Sequence, residues 1–353
     1  MKKIRVGILF GGRSAEHEVS LQSAKNVIDA LDRQKFEPVL IGIDKTGTWH
    51  LHDSTRYLRN AESSAEIKLA QSDQAVALLP GHPSNQVDVV FPVLHGPLGE
   101  DGTIQGLLKL ADLPFVGAGV LGSAIGMDKD VMKRLLRDAG IPVTKFLVFS
   151  DYEREHIRFE EVVGTLGLPC FVKPANMGSS VGISKANGRR SFTEAIETAF
   201  NYDTKILVER AIVGSEAECA VLGNDQPIAS LPGRIIPRTD FYSYDAKYLD
   251  EDGASLEIPA QLSKELTAEV QRLALSTFKV LACEGMARVD MFLTVNGEVI
   301  VNEINTIPGF TKISMYPKLW EASGLSYADL ITRLIELAIE RHEKHGRLTT
   351  SFR

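Results

Sequence analysis

This chain reads as an α/β region built on an open parallel sheet, followed by an α+β region. Three observations predict that succession: strands alternating with helices through about residue 125, hairpin-like strands after Gly140 and Pro142, and two β-rich runs flanking Asn296-Gly297. The first strand is IRVGILF (4–10), a continuous apolar run suited to a sheet covered on both faces. A glycine turn, GGRS, opens a helix through SAEHEVSLQSAKNVIDALD, and FEPVLIGI (36–43) is the next strand. VDVVFPVLHG and LGEDGTIQGLLKLADL repeat the strand, loop and helix. Ligands of such a sheet are expected where strands end and loops begin. FGGRSAEH does not fit the spacing G-x-G-x-x-G, so nicotinamide dinucleotide binding is not expected.

MDKDVMKRLLRDAGIPV (127–143) reads as a helix stopped by Gly140 and Pro142. The strands KFLVFS, PCFVKPA, VGISKA, KILVERAI and ECAVLG follow, and the helix SFTEAIETAF among them is expected to start at a capping box, Ser191-x-x-Glu194. RTDFYSYDAKYLDEDGASLE, rich in aromatic and charged residues, separates this region from an amphipathic helix at about 263–281. There Leu262, Leu266, Val270, Leu273 and Ala274 keep helical spacing. A last amphipathic helix covers about 326–344, and no internal repeat or low-complexity segment is visible.

With 353 residues, 44% hydrophobic and 24% charged, the chain can bury a sizeable core. A net charge of −7 argues against a nucleic-acid surface. The first apolar run is too short for a signal-peptide core, and no stretch approaches the roughly 18 apolar residues of a membrane span. Cys170, Cys219 and Cys283 are far apart with no C-x-x-C, so buried thiols in a reducing cytoplasm are expected.

Two stretches carry chemistry. In FVKPANMGSSVGISK (171–185), Lys173 lies in a strand-like run and precedes a loop of small residues. Such a loop can turn backbone N–H groups toward anionic oxygens while the lysine supplies a point charge. An ordinary hairpin with a snorkelling lysine fits the same residues. The second stretch is MARVDMFLTVNGEVIVNEINTIPG. A two-residue type I′ turn at Asn296-Gly297 would set Val295 against Glu298, Asp290 against Glu303 and Arg288 against Asn305. All four inner residues would share one face with Phe292 and Val301. Opposed carboxylates destabilise a sheet unless something neutralises them, and hard oxygen donors at that spacing suit Mg²⁺ with phosphate oxygens. A solvated face is the alternative. Together the two stretches suggest a nucleotide's phosphates held by Lys173 and the loop Gly178-Ser179-Ser180, over Mg²⁺ at Asp290, Glu303 and Asn305.

The motifs GGRSAEHEVSL, LHGPLGEDGTIQG, MDK, KPANMGSSVGISK, VERAIVGSE, YDAKY and RVD…NEINTIPGFTKISM occur in this order over nearly the whole chain. The sequence resembles the D-alanine–D-alanine ligases of the ATP-grasp superfamily. The resemblance implies an ATP-grasp fold with an N-terminal α/β domain (1–125), a central subdomain (126–213) and a C-terminal domain (214–353), with a lid loop at about 236–257. It implies ATP as co-substrate, two Mg²⁺ that Mn²⁺ could replace, and two D-alanine molecules. ATP phosphorylates one D-alanine carboxylate, and the amine of the second attacks the acyl phosphate. Peptidoglycan precursor synthesis, a cytoplasmic location and a homodimer are further implications. The rivals are another ATP-grasp carboxylate–amine ligase, a D-alanyl-D-lactate ligase, and a nucleotide-binding regulator without turnover.

Roles for single residues follow from the same resemblance. Glu303 would bridge both metals, with Asp290 completing one site and Asn305 the other. Lys129 and Lys173 would neutralise phosphate charge. Glu209 and the Ala211–Ile212 backbone would read the base, and Glu216 the ribose. Glu16 would hold the first ammonium group, with His95 beside the substrate. Arg288, helped by the Gly309 N–H, would stabilise the oxyanion. Ser314 and the Met315 N–H would receive the second carboxylate. From the lid, Lys247 would reach the transferred phosphate and Tyr248 would bond toward Ser179 and Glu16. Tyrosine at 248, where ester-forming relatives commonly carry phenylalanine, favours the dipeptide.

Overall fold

A computed structural model describes residues 2–349 apart from 55, 62, 64, 65, 73, 77–86 and 238–253. The N-terminal region contains β1 (Ile4–Gly11), α1 (His17–Ala30), β2 (Phe36–Ile43), β3 (Trp49–His52), the short pair β4 (Leu58–Arg59) and β5 (Lys68–Leu69), β6 (Val89–Val93), α2 (Thr103–Leu110) and α3 (Val120–Met127). β1 is flanked by β2 and β6, both parallel to it, and β3 adds an antiparallel edge. The unbroken apolar run of β1 has the expected cause. Val6, Ile8 and Phe10 enter the core on one face and Leu9 the core on the other. Because β1 and β6 are neighbours, the loops after them, carrying Glu16 and His95, emerge side by side.

The middle region comprises α4 (Lys129–Asp138), β7 (Phe146–Ser150), α5 (Phe159–Leu166), β8 (Cys170–Pro174), β9 (Ser184–Ala186), α6 (Arg189–Phe200) and β10 (Lys205–Arg210). Its sheet has the order β7-β10-β8-β9 and is antiparallel throughout. It is packed by a core of its own that includes Cys170, Val172, Phe192, Ile196, Ile206 and Val208. The expected capping box is displaced: α6 begins at Arg189, so Ser191 sits inside its first turn. From there the Ser191 hydroxyl accepts from the N–H groups of Asn187 and Gly188 at 3.0 and 3.2 Å. The hydroxyl thus plays the N3 part of a capping box, accepting from the cap residue Gly188, rather than the N-cap part expected of it.

The last region holds β11 (Gly214–Gly223), β12 (Ile228–Ala229), β13 (Gly233–Pro237), β14 (Ala254–Glu257), α7 (Lys264–Val280), β15 (Gly285–Thr294), β16 (Val299–Asn305), α8 (Met315–Ala322) and α9 (Tyr327–Gly346). The sheet runs β14-β13-β11-β15-β16, with β12 on β11. Both described ends of the segment expected as a lid are strand, Arg234 pairing with Glu257 and Pro237 with Ala254. Its middle, with Tyr242, Tyr244, Lys247 and Tyr248, lies outside the described residues. Val270, Leu273 and Ala274 bury the apolar face of α7, as their spacing predicts.

The hairpin of β15 and β16 reaches the expected pairs by a different route. Its turn is three residues long: the Thr294 N–H bonds to the Glu298 carbonyl, and Gly297 takes a left-handed φ of +83°. That geometry matches a type I turn closed by a left-handed glycine rather than a type I′ turn. Near the turn the register is therefore one step off, with Leu293 opposite Val299 and Met291 opposite Val301. A β-bulge then absorbs Asn302 and restores the register, so Asp290 does face Glu303 and Arg288 does face Asn305. One expectation fails: Val301 is fully buried in the core on the opposite face. Ile300, opposite Phe292, takes the place assigned to it.

Candidate active site

A cavity of about 590 Å³ opens where the three sheets meet. Glu16, His95, Lys129, Gly178, Ser179, Arg288, Glu303, Asn305, Gly309, Ser314 and Met315 all line it. Of the other expected site residues, Lys173, Ser180, Glu209, Ala211, Ile212, Glu216 and Asp290 stand outside its walls. Lys247 and Tyr248 lie outside the described residues.

At one end Glu16 accepts a hydrogen bond from the Ser179 hydroxyl, joining the loop after β1 to the loop between β8 and β9. Ser179 and Ser180 both adopt left-handed backbone, φ 50° and 61°, which is costly for a residue with a side chain and recurs at ligand clamps. A Cβ at Gly96, whose φ is +76°, would lie 2.7 Å from Glu16 Oε2, so only glycine lets this loop approach the carboxylate. Glu100 accepts from the Gly96 N–H at 2.8 Å. Burial, and then the neighbouring Glu16 charge, push its carboxyl up to about 8. Glu100 therefore keeps its proton near neutral pH beside the Glu16 carboxyl.

His95 is buried, with Nδ1 3.1 Å from the Ile307 carbonyl and Nε2 3.1 Å from Ser23 Oγ. A carbonyl only accepts, so the proton is assigned to Nδ1 and the Ser23 hydroxyl donates to Nε2. Burial lowers the His95 pKa to about 4, which keeps the ring neutral. Ser23 Oγ in turn accepts from the Phe310 N–H at 3.1 Å. Beyond Gly309, the Ser314 hydroxyl accepts from the Thr311 N–H at 2.9 Å. Ser314 is the residue before α8, and Met315 is its first, so N–H groups without helical partners face this part of the cavity.

The opposite end is charged. Lys129 Nζ donates to the Met177 carbonyl at 2.8 Å and stands 3.2 Å from Glu303 Oε2. Arg288 forks onto Asp290, two bonds of 2.7 Å, and its Nε is 2.8 Å from Glu218 Oε2. Asn305 Nδ2 donates to Asp290 Oδ2 at 3.0 Å. Lys173 Nζ lies 2.6 Å from Glu209 Oε2. Burial alone would raise the Glu209 carboxyl, but Lys133 and Lys173 hold it below the usual carboxylate range.

Asp290, Glu303 and Asn305 offer carboxylate and amide oxygens on facing strands, a donor set that fits a hard divalent cation. Among the described residues, no group of three or more His, Cys, Asp or Glu is placed to hold a metal. A cation here would therefore need the Asn305 amide and oxygens brought by a phosphate ligand. Glu100, Ser23, Lys133 and Glu218 were not singled out from the sequence. Glu218 carried a partial signal, a carboxylate inside the apolar strand ECAVLG, but its place opposite Asp290 comes from the long-range pairing of β11 with β15. Lys133 also had a signal, standing between Met132 and Leu136 on the apolar side of its helix. Glu100 had none, because loop geometry sets it, whereas Ser23 stands among Leu21, Ala24 and Val27 on the buried side of α1.

A family model described as the D-ala D-ala ligase N-terminus matches residues 5–118, and one described as the D-ala D-ala ligase C-terminus matches residues 135–336. The chain belongs to the D-alanine–D-alanine ligase family. A D-alanine--D-alanine ligase of Shouchella clausii is 58% identical over 363 aligned positions, covering 99% of this chain and 99% of that protein. D-alanine--D-alanine ligase A of Escherichia coli strain K12 is 54% identical, covering 99% and 100%. Among solved structures, the D-alanine-D-alanine ligase from Coxiella burnetii superposes with a TM-score of 0.80 at 40% identity, over 98% of this chain and 97% of that one. The VanG D-Ala:D-Ser ligase from Enterococcus faecalis gives 0.83 at 38% identity, over 96% and 100%. Membership in the D-alanine–D-alanine ligase family brings the ATP-grasp fold and ATP use with it.

Proposed function

We propose that this chain joins two molecules of D-alanine to D-alanyl-D-alanine, using ATP, to supply a peptidoglycan precursor. The observation that carries the reading is one cavity walled by the carboxyls of Glu16 and Glu100 at one end and by Lys129, Arg288 and Glu303 at the other, with Asp290 paired opposite Glu303 behind that wall. Glu16 takes the ammonium of the first D-alanine, with Ser179 orienting it and neutral His95 shaping the wall. Lys129, Lys173 and the loop Gly178–Ser180 hold the phosphates, and Arg288 with the Gly309 N–H faces the carbonyl whose oxygen gains charge. Ser314 and the Met315 N–H receive the carboxylate of the second D-alanine. Glu209 with the Ala211–Ile212 backbone serves the base, Glu216 the ribose, and Lys247 and Tyr248 close from the lid. Mg²⁺ held by Asp290, Glu303 and Asn305 would supply charge neutralisation at the phosphates. A three-domain division at about 125 and 213, a cytoplasmic location and a homodimer complete the proposal. Among the described residues no helix is long and apolar enough to cross a membrane.

The test is to follow ADP release and dipeptide formation with D-alanine, D-serine, D-lactate and L-alanine in parallel. D-Alanine should trigger ADP release and be joined to a second D-alanine in preference to D-serine and D-lactate. Absence of D-alanine-dependent ADP release, or equal use of L-alanine, would sink the proposal.

A further inference from the structure

Lys133 is 0% exposed, although a lysine ammonium is among the groups most costly to bury. Methionine would fill a similar volume without that cost, so packing alone does not require a lysine here. Its contacts point to another requirement. Nζ donates to the main-chain carbonyl of Asn302 at 2.9 Å and stands 3.1 Å from Glu209 Oε1. Asn302 is the residue absorbed by the bulge that brings Glu303 opposite Asp290. Glu209 holds Lys173 through its other oxygen. One helical turn earlier on the same face of α4, Lys129 grips Glu303 and the Met177 carbonyl of the Gly/Ser loop. The contacts close a ring: Lys173, Glu209, Lys133, the bulge, Glu303, Lys129 and the loop that continues from the strand of Lys173.

Three lysines and two carboxylates meet in this ring, leaving one positive charge in surplus, the sign a phosphate chain requires. Lys129 lines the cavity, whereas Lys133 does not. Its work is therefore to hold other groups.

We propose that Lys133 is a positioning residue for nucleotide and metal: by holding the Asn302 carbonyl and Glu209 together, it sets the Asp290–Glu303 pair at a defined distance from Lys173. The inference rests on the reading of this cavity as a nucleotide and Mg²⁺ site.

The experiment is calorimetric titration of the full chain with ADP, with and without Mg²⁺, alongside KM values for ATP and D-alanine. Lys133→Met should weaken Mg²⁺-dependent ADP binding by about ten- to a hundredfold, the usual effect of losing a group that orients metal ligands. The KM for ATP should rise in parallel, while that for D-alanine stays within about twofold, because the ammonium and carboxylate ends are not in the ring. Leu334→Ala, in a separate core that holds no chain neighbour of the ring residues, is the control for lost stability and should leave ADP affinity unchanged. Wild-type affinity in Lys133→Met, or an equal loss in Leu334→Ala, overturns the inference. Should Lys133→Met fail to fold, Lys133→Met/Glu209→Gln is compared with Glu209→Gln alone: the double variant removes both members of the buried pair, whereas the single one leaves the Lys133 ammonium without its carboxylate. Weaker binding by the double variant supports the inference, and equal binding overturns it. If the wild type itself binds no ADP, the reading of the site fails and takes the inference with it; wild-type binding with an unaffected variant removes only the role of Lys133.

Discussion

Glu100 shows how one side chain at this site couples charge to pH. Its carboxyl is raised from 4.5 to about 8, first by burial and then by the Glu16 charge. The folded state therefore holds a proton that the unfolded chain releases near 4.5. The stabilisation this proton provides is complete below that value and is lost as the pH rises through about 8. Glu100→Gln keeps an uncharged side chain of the same size at every pH. It is expected to flatten the fall of Tm from about pH 5 to about pH 8, measured by thermal unfolding in a buffer series. A variant whose Tm falls as steeply as the wild type would show that Glu100 does not hold the proton. The same arrangement suits an ammonium ligand, since a cation between Glu16 and Glu100 favours the charged form of both.

α4 carries two of the three ring lysines, Lys129 and Lys133, so its first turn controls where they point. Asp128 caps it, accepting from the N–H groups of Asp130 and Val131 at 3.1 Å each, and also pairs with Lys205 at 2.6 Å. Asp128→Ala is expected to destabilise the protein by about 1–2 kcal/mol, while Asp128→Asn, itself a good cap, should recover most of that loss in urea denaturation. An asparagine variant as unstable as the alanine one would move the weight from the cap to the Lys205 pair. This element also marks the limit of what the residues disclose. The α4 boundaries follow from an aspartate before the first turn and Gly140 after the last, both local signals. The opposition of Asp290 and Glu303 was expected correctly, yet two errors cancelled: the turn is one residue longer than Asn296-Gly297 predicts, and the bulge at Asn302 absorbs one residue. Placing that bulge needs Lys133 and the contact between the Val301 N–H and the Pro142 carbonyl, which come from distant parts of the chain. Val301 was put on the wrong face for that reason. The ends of the cavity, by contrast, were assembled from motifs, because a carboxylate or lysine at a strand end keeps its meaning wherever the loops bend.

Across the whole molecule, burial is divided unevenly among the three sheets. The middle sheet has its own core, whereas one continuous core takes Phe10 and Phe91 from the first sheet, Ala220 and Met286 from the third, and Phe310, Tyr316 and Leu334 from the C-terminal segments. The first and third sheets thus share a core that the middle sheet does not enter, and the cavity takes walls from both sides, Gly178 and Ser179 on one and Glu16, Arg288 and Glu303 on the other. Arg341, on α9, braces the side with the shared core: 6% exposed, it donates to the Phe115 carbonyl at 2.7 Å and the Gly117 carbonyl at 2.5 Å, and stands 3.6 Å from Glu284. Arg341→Met keeps apolar bulk but leaves two carbonyls and a carboxylate without that partner, a loss of about 2–5 kcal/mol. If the first and third sheets unfold as one unit, the loss must appear in both. Amide hydrogen exchange is then expected to accelerate by the same factor in β1 and β15, while β8 and β10 keep their wild-type rates. Acceleration confined to α9 would show that the shared core does not make the sheets cooperative. Acceleration that reaches β8 and β10 equally would show one unit where the cores indicate two, and the cavity would then have no independent wall to close on its substrates.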